Sequence, residues 1–255
     1  MQIYPFNIVY IFLMLLGAAT LMLIWHALRD KPETTRKRVL VIICALNIVF
    51  YFVYKGFLSV DAEFLEISGL ESFNWFNELP LQLCNINLFL IPLGVMTKKR
   101  GVLGFSFFIA PLAAMLALLF PEIAFTGYSL SQPRILGYYV THLLIVICGL
   151  SLFTLGFYRP DFKDFPGIVA AFIVLSLGAH LVNIVLRHSV CPQANYFFTF
   201  GADISILNLL WSFIPKAYVY LLPGLLILLA YMTAVTVLIR LVSDSSARRA
   251  AESKV

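Results

Sequence analysis

The chain has 255 residues, of which 61% are hydrophobic and only 12% charged, with a mean hydropathy of +0.93. A soluble domain is about 25% charged, so a water-soluble globular fold is excluded and lipid is the expected solvent for most of the chain. The net charge of +5 is informative only once each charge is placed relative to a bilayer, and four cysteines in a chain of this length are not a disulfide framework.

A helix crossing the ~30 Å hydrocarbon core needs about 20 mostly apolar residues. Seven stretches qualify in chain order, at 7–28, 39–58, 79–96, 101–120, 135–157, 167–187 and 217–241. The first is too long for a signal peptide and lacks the basic flank of one, so it is expected to be a retained helix. The polar punctuations RDKPETTRKR (29–38), TKKR (97–100) and YRPDFKDF (158–165) are turns rather than domains. The expected fold is therefore all-α: a polytopic membrane protein, residues 1–255 forming one seven-helix bundle. The third stretch is the weakest. It opens with Pro80 and carries Gln82, Cys84, Asn85 and Asn87 before Pro92. Read as a helix at roughly 100° per residue, it pairs Cys84 with Asn87 on one face and Gln82 with Asn85 on another, which places it inside the bundle. The segment 200–216 is semi-polar and reads as re-entrant or interfacial, with Trp211 near the headgroups.

Orientation follows from the bias of short cytoplasmic loops toward Lys and Arg. With the N-terminus outside, the inner segments hold 14 of the 18 basic residues and the outer side keeps Lys55, Arg134, Arg187 and Lys216. The acids Asp61, Glu63, Glu66, Glu71 and Glu78 gather in the long second loop. Topology thus accounts for the basic character, and no nucleic-acid partner is needed.

Polar side chains inside spans become candidates when they converge in depth. Counting residues from the outer boundaries puts Cys84, His142 and His180 about 7–12 Å below the outer interface. Ser176, His180, Asn183 and Arg187 form one stripe on the sixth helix, and Tyr138 and His142 one on the fifth. These groups are expected to meet in a single outward-opening pocket, because a histidine facing hydrocarbon would leave its ring nitrogens unpaired. A thiol beside an imidazole is the minimal equipment for acyl transfer, and carboxamides such as those of Gln82, Asn85, Asn87 and Asn183 can donate to an oxyanion. Blander readings stand beside these. Buried cysteine packs as a small hydrophobe, Asn and Gln join helices, and Arg187 either snorkels or attracts an anionic headgroup. Cys44 and Cys148 read as packing residues, and Cys191 beside Pro192 as loop architecture. No metal-ligand spacing or phosphate loop is present in the text.

At ELPLQLCNINLFLIPLGVMTKKR, residues 78–100, the sequence resembles the bacterial YwaF-like integral membrane proteins and, more distantly, the eukaryotic transmembrane protein 164 acyltransferases. The resemblance rests on Leu79-Pro80-Leu81, on Cys84 two residues after Gln82, on Pro92 and on the basic turn. His142 in the fifth span and the pair Asn195-Tyr196 after the sixth also match. The resemblance implies a seven-helix, cysteine-dependent transacylase that moves fatty acyl groups between phospholipids, with Cys84 as nucleophile, His142 as base and no cofactor. Two departures flank the site: the family often has His where this chain has Gln82, and its Pro-Trp-Tyr signature before the last helix is here Pro215-Lys216-Ala217-Tyr218. The expected function is acyl transfer on membrane phospholipid in a bacterial plasma membrane. In this reading His180 orients His142 or the headgroup, Arg187 holds phosphate, and Gln82, Asn87 or Asn183 steadies the oxyanion. The rival readings are a non-catalytic binder of lipid or a small solute and a receptor-like scaffold.

Overall fold

A computed structural model describes residues 2–67, 71–121, 126–201 and 205–252. Within these residues the chain forms α1 (Ile8–Leu28), α2 (Glu33–Leu58), the short α3 (Ala62–Ile67), α4 (Asn87–Thr97), α5 (Arg100–Leu119), α6 (Pro133–Thr154), α7 (Phe165–Ser189), α8 (Ser205–Phe213) and α9 (Gly224–Glu252). Helices dominate because a main chain in lipid must satisfy its own hydrogen bonds. The boundaries follow local chemistry. Asn7 caps α1 by accepting from the Tyr10 N–H at 2.9 Å, and Pro133 opens α6, where its missing N–H costs nothing.

Among the described residues six helices have the length and apolarity to cross a membrane: α1, α2, α5, α6, α7 with the turn before it, and α9 with the turn before it. The seventh expected span does not form as one helix. Of residues 79–96 only the second half is helical, and α4 has 11 residues, about 16 Å at 1.5 Å per residue. The cause lies in the sequence of 79–86. Pro80 has no N–H and restricts the residue before it, and the carboxamides compete for the main chain. The carbonyl of Leu83 takes the Asn87 side-chain Nδ2 at 3.0 Å, while the Asn87 main-chain N–H turns to the Cys84 carbonyl at 3.2 Å. The face pairing expected of a continuous helix therefore does not hold.

The centre of the bundle is α5 against α6, whose most apolar windows are 61% and 67% buried, against 17% for α1 and for α9. Gly149 of α6 lets the helices close, since a Cβ there would lie 2.8 Å from Pro111 Cδ of α5. On its other side α6 meets α2 through Gly137, where a Cβ would lie 2.4 Å from the Tyr54 ring.

The two ends of the bundle differ in chemistry. At one, Arg36 donates to the Leu155 carbonyl and Lys37 to the Met96 carbonyl at 3.2 Å, so the polar extension of α2 caps the ends of α6 and α4. Arg100 pairs with Asp164 at 2.7 and 2.9 Å, Lys98 with Glu33 at 2.6 Å and Arg240 with Asp161 at 3.5 Å. Tyr158 seats its hydroxyl on Asp164 at 2.8 Å. At the other end Ile3 exchanges main-chain hydrogen bonds with Gly127 and Tyr128, Gln132 meets Glu63 at 3.3 Å and Asn74 donates to the Val190 carbonyl at 2.9 Å. Of the segment 200–216, residues 205–213 form α8, residues 202–204 lie outside the described residues, and Trp211 sits edge-on to Tyr220 at 5.0 Å.

Candidate active site

Residues 79–86 run as successive turns into the head of α4, and Cys84 sits in the last of them. Its sulfur lies 3.3 Å from His142 Nε2. The other ring nitrogen, Nδ1, lies 2.7 Å from the Tyr138 carbonyl, one turn earlier on α6. A carbonyl oxygen only accepts, so Nδ1 carries the hydrogen and the neutral ring offers Nε2 as the acceptor for the thiol proton. The i, i+4 relation of Tyr138 and His142 thus acts through the main chain and fixes the tautomer a general base requires. Tyr138 also lays its ring against the imidazole at 4.4 Å between centroids and sends its hydroxyl to the Ala117 carbonyl at 2.6 Å, which locks both rings. His142 is 6% exposed, whereas Cys84 is half-buried. The Asn85 side-chain oxygen lies 3.6 Å from the same sulfur.

The remaining sequence candidates form a second cluster that braces the first. The stretch 194–201 folds against α7. Asn183, fully buried, donates to the Tyr196 carbonyl and to Thr199 Oγ1, both at 2.8 Å, and accepts from the Tyr196 N–H at 2.8 Å. His180 meets Thr199 Oγ1 at 3.0 Å and stacks on Phe200 at 4.9 Å. Arg187 donates to the Ala194 carbonyl at 3.2 Å and lies over the Phe200 ring at 4.7 Å. Ser176 meets the Tyr218 hydroxyl at 3.3 Å. Asn195 ties the Gly201 carbonyl at 2.6 Å and the Phe200 N–H at 3.0 Å.

The two clusters meet through residues 79–86. Gln82 accepts from the Phe197 N–H at 3.0 Å and donates to the Asn195 carbonyl at 3.4 Å. The Tyr196 hydroxyl takes the Leu79 N–H at 3.0 Å and donates to the Phe76 carbonyl at 2.6 Å. Leu79, Leu81, Leu83 and Ile86 pack onto the core formed by Ala179, Leu186, Ala194 and Tyr196. The expected single pocket is therefore two adjoining structures: a dyad, and a hydrogen-bonded scaffold holding the segment that carries the thiol. No hydrogen bond joins His180 to His142 among the described residues; the ring of His180 is engaged by Thr199 and Phe200. The carboxamide nitrogens of Gln82, Asn87 and Asn183 are given to protein oxygens.

A model of the TMEM164 family matches residues 3–238. The chain belongs to that family. No curated protein and no solved structure matches it. The family match extends from the N-terminal segment into α9, so the dyad, the scaffold, five of the long helices and the first half of α9 lie inside it.

The sequence text held a further set of groups that polarity counting left among the loops. Lys55, in the last turn of α2, pairs with Glu78, and its ammonium lies over the rings of Tyr51 at 5.7 Å and Tyr54 at 5.1 Å. The Tyr51 hydroxyl donates to the Glu78 carbonyl at 2.8 Å. The available signal was a lone lysine at the end of an apolar run followed, after the loop, by an acid directly ahead of the Cys84 segment.

Proposed function

We propose that the chain is a membrane-embedded, cysteine-dependent acyltransferase or transacylase that takes acyl groups from phospholipid esters, and that within its family it stands with the YwaF-like members. The observation that carries this reading is the 3.3 Å approach of the Cys84 sulfur to His142 Nε2 with Nδ1 committed to the Tyr138 carbonyl. Productive hydrogen bonds in active sites lie near 2.6–3.2 Å and are often looser without substrate, and a thiol is a larger donor than a hydroxyl.

In the reaction, His142 Nε2 takes the thiol proton and the sulfur attacks the ester carbonyl carbon. Negative charge develops on the carbonyl oxygen. The Asn85 N–H, the first after the nucleophile, has no main-chain acceptor among the described residues, and the head of α4 favours an anion. Both suit that oxygen. As the tetrahedral species collapses, the carbon–oxygen bond of the ester breaks and the departing glycerol oxygen takes the proton from the imidazolium. The products are a thioester on Cys84 and a lysophospholipid. An acceptor hydroxyl then gives its proton to His142 and attacks the thioester carbon. Sulfur leaves, recovers the proton, and the acyl group has moved from one alcohol to another with no cofactor. Asn87 and Asn183 hold the fold in this scheme, Gln82 holds the nucleophile's segment, and His180 and Arg187 order the loop beside it.

The charge pattern supports the orientation. The end carrying Arg36, Lys37, Lys98 and Arg100 is placed in the cytoplasm, the N-terminus outside, and the half-helix α4 with its non-helical lead makes the seventh crossing. The dyad then lies in the outer half of a bacterial plasma membrane.

The test is intact-mass spectrometry of the purified protein after incubation with phospholipid. Wild type is expected to gain one acyl group, located on Cys84 by peptide mapping, and the Cys84→Ala variant none. An unmodified wild type from which a lipid or small solute co-purifies would replace the enzyme with a binding protein.

A further inference from the structure

The nucleophile sits on a segment with no helix of its own to hold it, while its base sits on α6, the most buried helix of the bundle. Something must fix the distance between them. The scaffold at 195–197 holds residues 79 and 82 from one side. The other side is held by α2. Glu78, the residue before the segment begins, is tied to α2 twice: its carboxylate pairs with Lys55 and its main-chain oxygen accepts from Tyr51 at 2.8 Å. The two charged side chains are only 13% and 22% exposed, and the ammonium is enclosed by the Tyr51 and Tyr54 rings. Arg134, at the start of α6, adds a second positive charge within reach of the group. The same helix is registered against α6. Tyr54 fills the space opposite Gly137, and Asn47 donates to the carbonyl of Thr141, the residue before His142, at 3.3 Å. Helix α2 is therefore tied both to the residue ahead of the nucleophile's segment and, through Tyr54 and Asn47 among other contacts, to the helix of the base.

We propose that Lys55 and Glu78 are positioning residues, an ion-pair latch that sets the height and distance of Cys84 relative to His142. This rests on the Cys84–His142 dyad of the proposed function. A partly desolvated ion pair is weak evidence for stability, because apolar residues of similar volume often replace one without loss. What such a pair supplies is register, since its geometry is directional where apolar contact is not. The latch lies six residues before the sulfur, so a shift of about 1 Å there is transmitted to a reaction geometry that tolerates little misplacement.

The experiment is site-resolved alkylation of Cys84 in the full-length protein, quantified by peptide mass spectrometry at pH about 6.5 and about 9, below and near an ordinary thiol pKa. The ratio of the two rates reports imidazole assistance and cancels changes in access. Wild type is expected to hold a high low-pH rate. His142→Ala and Glu78→Gln are each expected to lower the ratio by about tenfold. The apolar pair K55M with E78L is expected to keep the wild-type melting temperature and still lose the ratio, and the swapped pair K55E with E78K to recover it to within about threefold. A low ratio in a normally stable apolar pair is an outcome that a merely structural role would not produce. A wild-type ratio in Glu78→Gln alongside a lowered one in His142→Ala overturns the latch alone. A wild-type ratio in His142→Ala overturns the dyad and the latch with it.

Discussion

Replacing Gly137 with alanine tests the packing that brings α2 to the site. The added methyl would lie 2.4 Å from Cγ and Cδ2 of Tyr54 and 2.7 Å from Cδ1. Carbon atoms in contact sit about 3.5–4.0 Å apart, so the ring and the helix must separate by roughly 1 Å. Tyr54 is 8% exposed and hemmed by Tyr51 and Phe50 at 5.5 and 5.8 Å between ring centroids, which leaves the ring little room to swing aside. Overpacking of this kind costs about 1–3 kcal/mol. In a chain of this size each kcal/mol moves Tm by about 2–4 °C, giving an expected loss of about 2–12 °C in thermal unfolding followed by intrinsic fluorescence in detergent. Trimming the opposing ring with Tyr54→Leu should then cost less in the Gly137→Ala background than in wild type, a coupling above about 0.5 kcal/mol. A Gly137→Ala protein that melts within about 1 °C of wild type, or strictly additive effects, would refute the close approach.

Other expectations follow from the same contacts. Asn183→Ala leaves the main-chain N–H and carbonyl of Tyr196 unpaired in a buried site, and should lower unfolding stability by at least about 2 kcal/mol. Gln82→Leu keeps the shape but releases the Asn195 and Phe197 tethers; acyl transfer should fall more than Tm does, and equal loss in both would count against a tethering role. His142→Asn removes the Nε2 acceptor and should slow acyl transfer by about 10²–10⁴-fold, measured with labelled phospholipid. Burial pushes the Cys191 thiol above its ordinary range, so at a given pH it holds less thiolate. A thiol reagent near neutral pH should label Cys84 well before Cys191, and the reverse order would contradict the assigned roles.

The long helices were legible because lipid imposes one simple rule, and α1, α5, α6 and α7 begin and end within about two or three residues of their apolar runs, as boundaries read from pattern usually allow. The polar start of α2 was missed because Glu33 to Arg38 look like a turn by composition, while in the fold Arg36 and Lys37 reach sideways to cap neighbouring helices. Residues 79–86 were misread for a related reason. Hydropathy sees an apolar run, whereas the fate of each amide is decided by partners as distant as Tyr196 and Asn195. Cys84 and His142 could be paired by depth counting, since both distances run from nearby span ends. Depth counting also drew in His180, whose ring is turned to Thr199. The Lys55–Glu78 pair was hidden by its position at a boundary, where a charge reads as solvated.

A side chain on a regular helix can be aimed only along directions its spiral allows. Cys84 escapes that constraint because it lies in the turns of residues 79–86, and the main chain becomes a regular helix only at Asn87. Its sulfur can thus be turned toward a ring on another helix while the next residues return to a regular path. The corollary is low tolerance to changes of length: one residue inserted between Leu79 and Cys84 would hold Tyr196 and Gln82 to their anchors only by carrying the thiol off its target. Point changes there are survivable, but indels are expected to be the lesion that silences the protein while leaving it inserted in the membrane.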